Sequence, residues 1–537
     1  MKKIAKYILG ICCASSLLMT GCIDETFPTN VATGDQLASS AKATEALLWA
    51  MPAYANKFDV LGSGAHYDWG YGSIIHIRDV MTEEYAVATS TYDHYANWHR
   101  NEALGENWAR TQFIWNYYWK FVQTANNMIR TIDPEVASEV QLGYLGAGYG
   151  FRAFLYLDMA QMFEFLENDG TSSVNTAGNS VLYLTVPIVT EDITEEEARD
   201  NPRVSRQEMY DFILSDLQAA EEYIQHMSRS NKTLPDLSVI YGLRARLHMW
   251  VGEYADARTY ARKAIDTGNY TPTTQDQWLN TSTGFNDLST SSWMWGSQMQ
   301  SEDEVVQAGI LNWTSWASNE TTYGYASAGP YNLIDARFYS RISNDDFRKL
   351  SWKAPEGSAL EGKNTYVNQA LGEELPEYAS LKFRPGSGEV GDYTVGSSCA
   401  YPLMRIEEMY FIEAEAAAHL NATEGVQLLE NFMKTYRYSS YACTASGSDD
   451  VVDEIFLQKR IEFWGEGISY FDYKRLNKPV ERGYVGTNFA DLSRFNTTTR
   501  PAWMNFCIVR TEKMNNSALV DYENPDPSDC YTPWVNN

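Results

Sequence analysis

The chain has 537 residues, 44% of them hydrophobic and 14% aromatic, with a formal net charge of −28 at pH 7. That length and apolar content give a large buried core and exclude a disordered chain. The acidity argues against nucleic-acid binding, which draws on basic surface.

Residues 1–21 read as an export signal: Lys2, Lys3 and Lys6, a short apolar run Ile8 to Met19, then small Thr20 and Gly21. The run is too short for a comfortable membrane span of about 20 residues. Leu18-Met19-Thr20-Gly21-Cys22 resembles a bacterial lipobox, which makes Cys22 the lipidated first residue of the mature chain and its membrane anchor. Cleavage takes three lysines and no acid, so the mature charge is −31. The later cysteines, Cys399, Cys443, Cys507 and Cys530, are widely spaced, with no zinc or redox pattern, and a large core has no need of a disulfide framework. No H-E-x-x-H pattern occurs; His94 and His99, five apart, suit one helix face poorly. No cofactor is expected, and nothing indicates bound calcium.

Helical periodicity then dominates. Ala41–Phe58 is the first predicted helix, and Asn107–Ile132 a longer one with Phe113, Tyr117, Phe121 and Ala125 at four-residue steps. Val136–Phe165 follows; Gly143, Gly146, Gly148 and Gly150 fit no dinucleotide fingerprint and point to close helix packing. Ser205 and Glu208 form a capping box ahead of MYDFILSDLQAAEEYI. Ser238–Val251 and Tyr254–Asp266, joined by Gly252-Glu253, are like one tetratricopeptide unit, with Ala245, Ala257, Ala261 and Ala264 at the contact. A second such pair is Leu403–His419 with Thr423–Tyr436, and a last helix runs over about Asp450–Trp464. Between about 270 and 400 the periodicity fades into Gly, Ser, Asn, Thr and aromatics, a long irregular insert of the kind that usually carries function. The expected fold is mostly α: a helical-repeat scaffold (about 40–268 and 401–480) with a loop-rich insert, residues 22–537 forming one domain.

Three aromatic clusters stand outside the helical stripes. In HYDWGYGS, Tyr67, Trp69 and Tyr71 alternate with Asp68 and Gly70, and on a strand would share one face. In TYDHYANWHRN, Tyr92, Tyr95 and Trp98 step by three, with Asp93, Asn97 and Asn101 between or beside them. In LNWTSWASNETTYGYASAGPY, Trp313, Trp316, Tyr323, Tyr325 and Tyr331 crowd a Gly/Ser/Asn-rich loop. A sugar ring has an apolar C–H face and a polar rim, and aromatic platforms flanked by amides and carboxylates match both. Candidate ligand residues are therefore Tyr67, Asp68, Trp69, Tyr92, Tyr95, Trp98, Asn101, Trp313, Trp316, Tyr323 and Tyr325. Trp115, Tyr118, Trp119 and Trp464 read as packing, WMW at 293–295 as a buried strand, and Arg405, Glu413, Arg460, Glu462 and Asp472 as structural ion pairs or caps.

Several segments resemble the SusD/RagB family of outer-membrane nutrient-binding lipoproteins. Tyr149–Leu157 with Pro187, Met209–Leu217, Pro402–Ala416 and Arg460–Arg475 are similar to successive family motifs, the last two in the order of their charges and glycine. Ser469 stands where a basic residue is usual, and the closing motif survives loosely in Phe506–Asn516. The resemblance implies a fold of tetratricopeptide-like helix pairs with a ligand face made of loops. It also implies capture of oligosaccharides, or in some members peptides, for a partner SusC-like TonB-dependent transporter, without catalysis. Asp24 and Glu25 resemble the acidic signal that sends lipoproteins of Bacteroides-type bacteria to the cell surface. The rival reading of a lipid-anchored glycoside hydrolase needs two positioned carboxylates, and no motif selects a pair.

Overall fold

The computed structural model describes residues 40–536; the signal segment and Cys22 lie outside them. Among the described residues the helices are α1 (Ala41–Tyr54), α2 (Tyr71–Val80), α3 (Ala109–Thr131), α4 (Glu139–Phe163), α5 (Arg206–Tyr223), α6 (Leu237–Val251), α7 (Tyr254–Thr267), α8 (Ile406–Leu420), α9 (Ala422–Tyr436), α10 (Ser448–Glu462) and α11 (Ser469–Arg475), plus short turns. None is long and apolar enough to cross a membrane.

The helix starts follow local chemistry. Ser138 and Ser205 close capping boxes with Gln141 and Glu208 at α4 and α5, and Asp236 caps α6. Gly252, left-handed at φ 81°, ends α6 and turns the chain directly into α7. Successive helices pack side by side: α3 on α4, α4 on α5, α6 on α7, α8 on α9, and α7 on α8 across the insert. The small residues predicted at the contacts are there, with Ala245, Ala257, Ala261 and Ala264 fully buried. Gly143 and Gly146 are required by approach: a Cβ on Gly146 would stand 2.5 Å from the Ile224 backbone nitrogen, and one on Gly143 2.9 Å from the His226 carbonyl. Ion pairs staple the two halves of the scaffold, with the Arg246 guanidinium forked on Glu408 (2.6 and 2.6 Å) and Arg262 on Glu413.

Two antiparallel ribbons attach the insert to the scaffold. β1 (Tyr85–Val87) pairs with β3 (Asn332–Ile334), and β2 (Trp293–Gln298) with β4 (Ala400–Arg405), Gln298 opposite Ala400 and Trp293 opposite Arg405. Residues 403–405, expected to open a helix, thus complete a strand, and α8 begins at Ile406. Tyr67, Trp69 and Tyr71 do not lie on a strand, where they would share one face: Gly70 adopts φ 97°, and Tyr71 opens α2. Cys399, Cys443, Cys507 and Cys530 are free thiols.

The charged family-like motifs form the floor of the core. Glu462 accepts from Arg437 (2.7 and 2.8 Å), Arg405 (3.1 Å) and Arg348 (3.0 Å), all fully buried. Burial alone would raise the Glu462 pKa; Arg437, Arg405 and Arg348 pull it well below the usual carboxylate range.

Candidate functional site

Two loops distant in sequence meet beside α2. The first carries Ser90 to Asn101; Tyr95 precedes a single helical turn, Ala96–His99. The second is a turn at Trp313–Ala317, capped by Asn312, followed by a 3₁₀ turn at Tyr325–Ala328. The β1–β3 ribbon delivers both, and the Ser90 hydroxyl donates to the Ala328 carbonyl (3.0 Å).

Their rings, with His66 from the loop before α2, build one patch. Trp316 stacks on Tyr325 at 3.5 Å between centroids, Tyr325 lies nearly parallel to Tyr92 at 5.7 Å, and His66 stacks on His94 at 3.9 Å. The Tyr325 hydroxyl is 2.5 Å from His66 Nδ1, and Tyr92 edges both histidines. Tyr95 meets Trp316 edge-on at 4.4 Å and rests on His76 of α2. Tyr92, 39% exposed, is the outermost ring, and His66 and His94 are half-buried. Burial lowers the pKa of both histidines, His94 also through His66, and raises that of the Tyr325 hydroxyl, so the patch is electrically neutral at pH 7.

The predicted residues divide by this geometry. Tyr92, Tyr95, Trp316 and Tyr325 are brought together, Trp316 (3% exposed) and Tyr95 as the backing. Tyr67 is half-buried and covers Trp98 edge-on at 5.2 Å. Five others are packed into the scaffold. Trp98, 2% exposed, is enclosed by Tyr67 and Tyr95. Trp69 is buried, and the Asp68 carboxylate accepts the Val60 and Leu61 amides (3.0 and 2.7 Å), fixing the loop before α2. Trp313 stacks on Tyr401 of β4 at 5.0 Å. Asn101, at φ 52°, donates to the Pro527 carbonyl (2.7 Å), while its own carbonyl accepts from Asp529 N–H and Leu104 N–H donates to Ser528. Tyr323 stands apart, edge-on to Tyr393 at 6.4 Å. Large rings give the most free energy when buried, so a polar-flanked tryptophan goes inward wherever a neighbour can cover it. His66 and His94 went unnamed as patch members; their signal was position, inside the two aromatic clusters.

Among the described residues, one histidine–carboxylate group has ligand-type atoms within 4.8 Å of one another: His248, Glu253 and Asp256, at the α6–α7 turn. His248 Nδ1 lies 2.8 Å from Glu253, which also accepts from the Tyr210 hydroxyl (2.6 Å).

Fold and patch define an α-helical repeat protein in which neutral rings from separate loops cluster, Trp316 and Tyr325 of them on the insert. Residues 250–533 match the profile of the SusD family, and residues 59–249 a profile described as starch-binding associating with outer membrane. The chain belongs to the SusD family. It is 22% identical to a SusD-like protein of Formosa agariphila over 69% of this chain and 73% of that one. Its fold is similar to that of a SusD-like carbohydrate binding protein from Bacteroides vulgatus (TM-score 0.68, 22% identity, 90% and 98% of the two chains). It is also similar to a SusD superfamily protein from Bacteroides thetaiotaomicron (0.66, 16%, 90% and 99%) and to surface glycan-binding protein A from Bacteroides fluxus (0.57, 15%, 81% and 89%).

Proposed function

We propose that this protein is a surface-exposed outer-membrane lipoprotein, anchored through Cys22, that binds oligosaccharides and passes them to a SusC-like TonB-dependent transporter without cleaving them. The observation that carries the reading is the meeting of Tyr92, Tyr325, Trp316, His66 and His94 from separate loops into one neutral aromatic patch. Neutral rings offer stacking faces to sugar C–H surfaces, while the His66 and His94 nitrogens and the Tyr92 hydroxyl supply polar contacts at the rim. Family membership and the glycan-binding relatives support it.

The test is titration of the soluble chain lacking residues 1–22 against a panel of oligosaccharides, with peptides as competitors and product analysis for cleavage. Removing the exposed ring in Tyr92→Ala is expected to weaken glycan binding about fivefold, a stacking contact being worth about 1 kcal/mol. Unchanged affinity in both Tyr92→Ala and Tyr325→Ala would remove the patch from the reading.

A further inference from the structure

On the other side of α2 from the patch lies a cavity of about 170 Å³ where the end of α4, the start of α5, the end of α6 and α11 converge. Four cations line it: Arg206 from the first turn of α5, Lys474 and Arg475 from α11, and Arg500 from the C-terminal region. Two carboxylates join them, Glu164 and Glu167. In a chain of net charge −28 this is an unusual local surplus of positive charge.

The carboxylates leave the surplus standing. Glu164 is buried and already engaged, accepting from Arg206 Nε (2.5 Å) and Trp250 Nε1 (3.0 Å). Glu167 is exposed at the rim. Arg475 is held by Glu415 and Asp472. Lys474 is buried, yet its ammonium meets only main-chain carbonyls, of Met162 (3.0 Å) and Glu164 (2.7 Å). Arg500 is half-buried, and its Nε donates to the Asn477 side chain (2.8 Å), a neutral partner. Elsewhere in the core, Arg348, Arg405, Arg437, Arg460 and Lys382 each face a carboxylate, while Arg203 and Arg482 are enclosed by neutral oxygen acceptors and line no such cavity. Burial pushes the Lys474 pKa well below that of a free lysine and lowers that of Arg500; the nearby Glu164 carboxylate opposes both shifts, and Arg206 adds to both. Tyr183, Trp250 and Phe471 form apolar wall around the charged groups.

We infer that this cavity binds a small oxyanion, a sulfate, phosphate or carboxylate group, either as the free ion or as a substituent on a monosaccharide, with Arg500 and Arg206 as its principal ligands and Lys474 behind them. A planar guanidinium presents paired donors that match two oxygens of such a group, and a partly enclosed site strengthens that attraction. A second cavity shares Gln161, Trp250, Phe471 and Arg475 with it and reaches Tyr71 and Ile75 on α2. His76 faces the opposite way, onto Tyr95 and Trp316, so α2 separates this site from the aromatic patch.

The experiment is calorimetry and thermal melting of the purified full chain with sodium sulfate, phosphate, acetate and glucuronate, each against sodium chloride at matched ionic strength. Saturable binding of at least one oxyanion is expected, with stabilisation that chloride does not give. Glucuronate binding more tightly than acetate assigns the site to a sugar substituent; equal binding assigns it to the free ion. Arg500→Gln, half-exposed and bound to a neutral partner, should melt like the parent in chloride and bind the oxyanion about tenfold more weakly. Glu167→Gln removes a rim charge and should bind more tightly, a gain no folding defect mimics. No distinction between oxyanions and chloride, full affinity in Arg500→Gln, or no tightening in Glu167→Gln overturns the inference.

Discussion

Single residues here are fixed chiefly by what covers them. Arg405 and Glu462 were legible as scaffold because their motif order and helical setting called for internal partners, and they sit in a buried ion network. Replacing Glu462 with Ala removes the carboxylate that three buried arginines share, leaving Asp346 to Arg348, Glu466 to Arg405 and Glu407 to Arg437, and a loss of about 3 kcal/mol is expected in urea unfolding. Its pKa is lowered on folding from 4.5, so its contribution is complete above pH 4.5 and disappears as pH falls through the lower folded value. Glu462→Gln should accordingly show a shallower acid limb in stability-versus-pH curves. The aromatic residues were legible as stretches and not as individuals: nothing in TYDHYANWH says that Trp98 is roofed by Tyr67, 31 residues earlier, while Tyr92 is left outside. His66 and His94 have folded pKa values below 6.5, so the unfolded chain gains protons first as pH drops, and both stability and a neutral patch are lost on acidification. Tyr92 and Tyr325 face this pair and Asp93 adjoins it, raising His94 only as a lesser influence. Glycan affinity measured at pH about 7.5 and about 5 should fall with acid, and His66→Phe should flatten the change.

At the scale of elements, the long helices were readable because one face is apolar and their ends carry caps. α2 was missed for the opposite reason: all ten residues of YGSIIHIRDV are buried, so no polar face marks its period. Residues 403–405 were drawn into the wrong element because their strand partner, Trp293–Gln298, lies more than a hundred residues away. The α4 glycines give a sharp test of packing. Alanine in place of a mid-helix glycine ordinarily stabilises by about 1 kcal/mol. At Gly146 the new methyl would meet backbone that cannot rotate away, so Gly146→Ala should instead destabilise by about 1–3 kcal/mol in denaturant titration.

For the whole molecule, scaffold and insert share one continuous buried cluster running from Leu48 through Trp295, Trp316 and Phe383 to Leu519. Although the two family profiles divide the chain near residue 250, calorimetry should show one dominant unfolding transition, and two well-separated transitions would contradict a joint core. The large-scale plan was legible because periodicity survives wherever a helix borders solvent; the convergence of the two loops was not, because only tertiary contacts express it.

The loop bearing Tyr92 to Leu104 is tied down by residues 527–529, near the far end of the chain. A chain clipped before residue 527 is therefore expected to keep its helices yet lose the ties on Asn101 and Leu104, and limited proteolysis should then cut first between Ser90 and Leu104.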